Sequence, residues 1–206
     1  ELLSRLGKKR ALDQKHDDVV SAKRTRLDNT YRGEIRVILT ARTDECGQDY
    51  FPGTAIGEQI DEMEAYNYTE LFAKHQWRNK LHNDWMMIDS PLVIDNRKWA
   101  SVTHYMAAKR FLKFEPNIYS QFSLRSNHAL SKDINLAHAM LSPSGIGDQQ
   151  IRPSTAQPII LTKEERSEYL KKALAVKFGH GELKELLMNT NDALLMEFKG
   201  DVLYEL

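Results

Sequence analysis

The sequence predicts an α+β fold that is mainly α-helical and has a few short strands. Three observations support this prediction. The alternating, β-branched stretch EIRVILTA (34–41) predicts a strand near the start of the chain. A capping box from Thr162 to Glu165 predicts the first turn of a long helix. Near the end, LLMEF and DVLYEL flank Lys199-Gly200, which predicts a hairpin.

The remaining elements follow from local patterns. A helix is predicted over about 60–75, extended segments at WMMI and PLVI (85–94), and a turn at Asp95-Asn96. A helix then begins at about Ser101, and others are predicted around 115–122 and 131–141. The Pro- and Gly-rich stretch 141–158 predicts a loop, and Gly179 suits the C-terminal cap of the helix that begins at Thr162.

The charge is unevenly distributed, which indicates an arm and a body. The whole chain has a net charge of zero, but residues 1–32 carry nine Lys/Arg and five Asp/Glu, a net +4, so the rest is net −4. We predict a basic arm over 1–33, placed to contact partner proteins of a larger assembly or nucleic acid, and a domain over 34–206. The basic clusters of the arm have the spacing of a bipartite nuclear-import signal: Lys9, Arg10, Lys23, Arg24 and Arg26.

Several kinds of site are not supported by the sequence. Cys46 is the only cysteine, which excludes an intrachain disulfide and favours a reducing, intracellular compartment, cytoplasmic or nuclear. No histidine falls in a zinc-binding spacing, and neither phosphate-loop nor dinucleotide-binding glycines occur, so neither a metal nor a cofactor is expected. No apolar run approaches the roughly 20 residues of a membrane span, so no membrane partner is expected.

Three stretches in order resemble motifs of the YbiA-like family, also called NADAR. His82-Asn83-Asp84-Trp85 with PLVIDNRKW resembles S-N-F…I…dG…W. WASVTHYMAAKRF (99–111) resembles W-x-S-x-E-H-Y-x-x-A-x-K-F, and ALAVKFGHGELKELLMNTNDALL (173–195) resembles A-L-x-x-K-F…L-x-x-L-L-x-T-x-x-A-x-L. The resemblance covers 75–206. The 34–60 region is similar to an extended version of the family in large DNA viruses, which makes a viral structural or virion-associated protein one expectation.

The resemblance implies a compact, mostly helical domain whose cleft handles an N-linked ribose, such as an ADP-ribose-related or nucleotide ligand or a ribosylamine. The implied reaction is hydrolysis of an N-glycosidic bond. Candidate ligand-binding residues carried over from the motifs, or placed near them, are Asn83, Trp85, Trp99, His104, Tyr105, Arg110 and Tyr204. An alternative reading makes the aromatic residues and His104 parts of the core.

Two helix positions depart from the family motif, and Asp84 also stands where the family has Phe, although Trp85 could stack instead. The family has Glu and Lys where this chain has Thr103 and Arg110. At about 100° per residue these two lie within roughly 20° of each other on one helix face, with Ala107 between them and Met106 off that face. Thr103 cannot act as a carboxylate base, whereas Arg110 keeps a charge suited to phosphate.

Three functions therefore remain open. The favoured one is a degenerate family member, a pseudoenzyme that serves as a binding or structural module. A second is an active N-glycosidase that recruits another acid, with Glu58, Asp89 and Asp201 as candidates. The third is a nucleic-acid-associated protein that binds through its basic arm.

Overall fold

Strands from opposite ends of the chain form the larger sheet. In the computed structural model, which describes residues 36–40, 50–55, 57–143, 145, 150–179, 181–199 and 202–205, β1 (Val37–Thr40) pairs in parallel with β4 (Leu194–Lys199). β4 pairs antiparallel with β5 (Val202–Glu205), which confirms the predicted hairpin. The predicted arm with its basic clusters, and Asp201, lie outside the described residues.

A two-stranded antiparallel hairpin makes a second, smaller sheet. It joins β2 (Leu92–Ile94) to β3 (Arg97–Trp99) through the predicted turn at Asp95-Asn96. Both turn residues have positive φ, 53° and 57°, as a two-residue hairpin turn requires. Asp and Asn tolerate this left-handed backbone better than most residues, so the local sequence specifies the turn.

Helices make up most of the remaining structure, so the fold is α+β and mainly helical. The α-helices are α1 (Thr69–Phe72), α2 (Trp77–Leu81), α3 (Val102–Lys109), α4 (Pro116–Gln121), α5 (Ile134–Leu141), α6 (Lys163–Lys177) and α7 (Gly181–Met188). Short 3₁₀ helices lie at Ala65–Tyr68, Leu124–Ser126 and Ala129–Ser131. Within the described part of the chain, no helix combines the length and apolarity needed to cross a bilayer.

Helix ends follow the local sequence closely. The capping box at α6 is confirmed: Thr162 Oγ1 accepts from Glu165 N at 3.2 Å, and Glu165 Oε2 accepts from Thr162 N at 2.9 Å. Ser101 caps α3 by accepting from His104 N at 3.2 Å. α6 ends at Lys177 with Phe178 as its cap, so Gly179, the predicted cap, lies one position beyond the observed one.

One helix prediction was wrong in extent, and one of the predicted extended segments joins no sheet. The helix predicted over 60–75 is reduced to one 3₁₀ turn and α1, because Asp61 Oδ1 accepts from Met63 N at 2.8 Å and forms a local turn instead. The WMMI segment forms no strand. Its Met87 N donates to Ala100 O at 2.6 Å, but no ladder extends from that bond.

The core lies around α3, and the hairpin turn is anchored to it. Trp99 and Tyr105 are fully buried, with ring centroids 5.5 Å apart. Asp95 Oδ2 lies 2.7 Å from Lys109 Nζ, and Asp95 Oδ1 binds Lys172 of α6. Burial opposes the charge on Asp95, but the two lysine hydrogen bonds outweigh it and lower its pKa to about 2. The hairpin is therefore held against both α3 and α6.

Candidate functional site

A cavity of about 390 Å³ opens beside α3. One wall is polar and is formed by Asn83, Thr103, His138 and Glu197. Two guanidinium groups, from Arg110 and Arg166, also line it. Its apolar lining comes from Val102, Met106, Ala107, Leu141, Ile160, Leu161 and Leu170. The cavity therefore offers carboxylate, cationic and apolar surfaces to a single ligand.

The predicted face of α3 forms one side of this cavity. Thr103, Ala107 and Arg110 all line it, as their helical spacing predicts. Met106, which we expected off this face, lines it as well. Residues three apart on a helix are neighbours, so the lining face is wider than the i, i+4, i+7 stripe that the sequence indicated.

Asp84 stands behind the polar wall as a buried carboxylate. Its Oδ1 accepts from Thr103 Oγ1 at 2.5 Å, and its Oδ2 lies 2.8 Å from His138 Nε2. Burial would raise the pKa of Asp84, but the hydrogen bonds from His138 and Thr103 and the charge of His138 hold it well below its usual range. Asp84 is therefore ionised at neutral pH, and Thr103 uses its hydroxyl to hold it.

Glu197 of β4 is the carboxylate that faces the cavity. It is buried, and its Oε2 accepts from Asn83 Nδ2 at 2.9 Å. Its Oε1 lies 3.0 Å from His82 Nε2. The register of β4 against β1 and β5 places this side chain in the polar wall. The 81–84 segment and β4 thus build the wall together.

His82, Asp84 and Glu197 each offer a possible metal-ligand atom, all within 4.8 Å of one another. The ring of His82 argues against a metal, because its Nδ1 accepts from Asp84 N at 3.1 Å. A neutral ring then carries its proton on Nε2, which faces Glu197 and has no lone pair for an ion. The three groups form a polar network in this arrangement.

A buried lysine holds the segment that carries this network. Lys177, at the end of α6, is 1% exposed and donates to Leu81 O at 2.9 Å and to His82 O at 2.6 Å. Burial lowers its pKa to about 7, against the opposing pull of Glu197 and Asp84. Lys177 does not line the cavity. Its role in the site is to fix the backbone from which His82, Asn83 and Asp84 project.

Another part of the cavity lining is cationic. Burial first, and then the charges of Arg152 and Arg166, lower the pKa of Arg110. Arg152 is 7% exposed, and its Nη1 lies 3.3 Å from Leu141 O. Arg110 Nε donates to Ile159 O at 3.0 Å. Three positive charges in one neighbourhood favour an anionic group on a ligand.

Several candidate residues lie in the core and do not line the cavity. Trp99 Nε1 donates to Ile94 O at 3.1 Å. His104 is fully buried, its Nδ1 lies 2.8 Å from Ser101 Oγ, and burial lowers its pKa to about 4. Tyr105 is fully buried and Trp85 is half-buried against the core. Of the predicted ligand-binding residues whose side chains the structure describes, Asn83 and Arg110 line the cavity.

The carboxylates that we proposed as alternative acids lie elsewhere. Glu58 is buried against Arg78, with its Oε2 3.0 Å from Nη2, and also accepts from Leu39 N at 2.9 Å. Asp89 is exposed, and neither residue lines the cavity. Tyr204 is in β5, where its backbone is paired with Glu197.

The sequence did not indicate four parts of the site: Asp84, His138, Glu197 and Lys177. Asp84 differs from the Phe of the family motif, but that difference does not predict its role. A polar residue within the apolar run LLMEF was the available signal for Glu197.

No protein-family model matches the chain, and no curated protein matches it. Among solved structures, the chain is similar to the NMR structure of the E. coli protein YbiA, with 22% identity and a TM-score of 0.41. The match covers 62% of each chain, so it spans less than two thirds of that protein.

Proposed function

We propose that the chain is a YbiA-like (NADAR-like) domain whose cavity binds a phosphorylated N-ribosyl ligand, of which ADP-ribose is the reference compound. The observation that carries the proposal is that one cavity is lined both by a carboxylate and an amide, Glu197 and Asn83, and by two arginines, Arg110 and Arg166. Its volume, about 390 Å³, falls within the roughly 300–1,000 Å³ of small-molecule sites. The motif resemblance implies that the same helix face lies at the ligand, which supports the proposal.

Each surface suits one part of such a ligand. The side-chain oxygens of Glu197 and Asn83 can accept hydrogen bonds from ribose hydroxyls. The guanidinium groups of Arg110 and Arg166 can donate to phosphate oxygens. This arrangement gives the ligand a defined orientation, with the sugar toward β4 and the anion toward α6.

We propose binding rather than catalysis by the family's route. Thr103 provides no carboxylate, and its hydroxyl is already bonded to Asp84. The lowered pKa of Asp84 makes it a weak base at neutral pH. General-base assistance is worth about 10²–10⁴ in rate, so its loss alone would leave at most slow turnover.

Hydrolysis through Glu197 is the second candidate, because this buried carboxylate reaches the cavity. In that reaction a water oxygen bonds to the anomeric carbon and the carbon–nitrogen bond breaks. Glu197 takes the water's proton, and the departing nitrogen base is protonated in turn. The carboxylate charge would also stabilise the cationic transition state.

Calorimetric titration with ADP-ribose, together with chromatography of ADP-ribosylated guanosine, tests both candidates. We expect wild type and Asp89→Asn, an exposed carboxylate outside the cavity, to bind equally. Glu197→Gln should weaken binding about tenfold, because it removes a charged acceptor. Turnover that Glu197→Gln abolishes would establish the hydrolase instead. Absence of ADP-ribose binding by the wild type would overturn the proposal.

A further inference from the structure

A short strap contributes to the cavity lining between two anchored ends. The strap is residues 157–162, a segment without regular secondary structure. It follows Ala156, which is 2% exposed, and ends at Thr162, the cap of α6. Both ends are therefore fixed by the fold, and the middle of the strap needs its own support.

Arg110 supplies that support with two hydrogen bonds to one residue. Ile159 N donates to Arg110 O at 2.8 Å, and Arg110 Nε donates to Ile159 O at 3.0 Å. The bond to Ile159 O needs a side-chain donor that lies close to the helix backbone and points away from the side chain's long axis. The guanidinium Nε–H is such a donor, whereas a lysine carries its only donors at the end of a flexible stem.

The two residues that follow this clamp line the cavity. Leu161 is half-buried, but Ile160 is 91% exposed although it lies at the cavity lining. A single exposed isoleucine on an ordinary surface needs no explanation. Here the fold holds it in the lining of the cavity, where a bound ligand can cover it.

We infer that Ile160 is a specificity-determining residue that covers a flat, apolar part of the ligand, and that Arg110 is the residue that positions it. The inference rests on the proposed function and adds to it a preference for ligands that carry a planar ring system beyond the sugar phosphate. The departure at position 110 then has a structural purpose: it retains a positive charge and also fixes one wall of the cavity.

Titration of two ligands separates this inference from the proposed function. Ile160→Ser should weaken binding of ADP-ribose about tenfold, because it removes apolar contact with the adenine. It should leave ribose 5-phosphate, which has no ring system beyond the sugar, within about twofold of wild type. Met188→Ser is the matched control, since Met188 is an apolar residue that is 67% exposed and outside the cavity. Equal losses for both ligands, or none for either, would overturn the role of Ile160.

Amide hydrogen exchange tests the clamp without any ligand. In Arg110→Lys, which keeps the charge, we expect the Ile159 amide to exchange about tenfold faster, because one of its two supports is lost. The Glu165 amide in the capping box is the internal reference and should not change. An unchanged Ile159 amide would overturn the positioning role alone. Wild type that binds neither ligand would overturn the proposed function and the ligand role of Ile160 with it.

Discussion

The buried Lys177 makes the stability of this protein depend on pH in a direction that can be worked out. The residue is 1% exposed, and burial lowers the pKa of its amine from 10.5 to about 7. Between these two values the unfolded chain binds more protons than the folded one, so the free energy of unfolding rises with pH. We predict that wild type gains stability relative to Lys177→Met as the pH increases from 7 to 9.

The size of the effect follows from the shift. Where the unfolded chain binds one more proton than the folded one, the free energy of unfolding rises by about 1.4 kcal/mol per pH unit. At pH 7 the folded amine is half protonated, so the difference there is half a proton. Integration from pH 7 to 9 gives about 2 kcal/mol. The hydrogen bonds to Leu81 O and His82 O are lost in the variant at every pH, so they shift its stability without adding to the slope.

Urea unfolding followed by tryptophan fluorescence at pH 7, 8 and 9 measures this difference. Titrating groups that wild type and Lys177→Met share contribute about equally to both free energies of unfolding. They therefore cancel to first order when one free energy is subtracted from the other. Lys171→Met is the matched control, because Lys171 lies on α6 as well but is exposed. A difference between wild type and Lys177→Met that stays constant within about 0.5 kcal/mol, or that falls with pH, would refute the reasoning.

Two further predictions concern groups in the core. Glu58→Gln should cost about 3–5 kcal/mol in urea unfolding, because it leaves Arg78 buried without its carboxylate, whereas exposed Glu62→Gln should cost under about 0.5 kcal/mol. Equal costs would contradict the buried ion pair. The ring protons of His104 should show no titration by NMR between pH 5.5 and 8, because burial lowers its pKa to about 4. A titration centred near 6.5 would show that the ring is solvated.

Local features of the fold were predictable because each depends on a few neighbouring residues. The capping box at Thr162, the Ser101 cap and the Asp95-Asn96 turn all satisfy backbone groups within three residues, and all are present. The helix predicted from Asp61 onward was wrong for a reason that is also local. The Asp61 side chain forms a turn with nearby backbone, which a helical pattern of apolar residues does not reveal.

The site was only half predictable, because it depends on contacts between distant parts of the chain. The face of α3 followed from the motif resemblance together with helical spacing, although Met106 also belongs to it. The polar wall requires Glu197 of β4 to lie beside Asn83, 114 positions earlier in the sequence. Lys177 reaches His82 across 95 positions. No local pattern encodes such contacts, and they set the chemistry of the cavity.

A crystal structure of the protein with ADP-ribose tests the central proposal most directly. We predict that the ligand lies in the cavity beside α3, with ribose hydroxyls in hydrogen-bond reach of Glu197 and Asn83. Its phosphates should contact Arg110 and Arg166. A cavity that stays empty at saturating ligand, or a ligand bound away from this wall, would contradict the proposal.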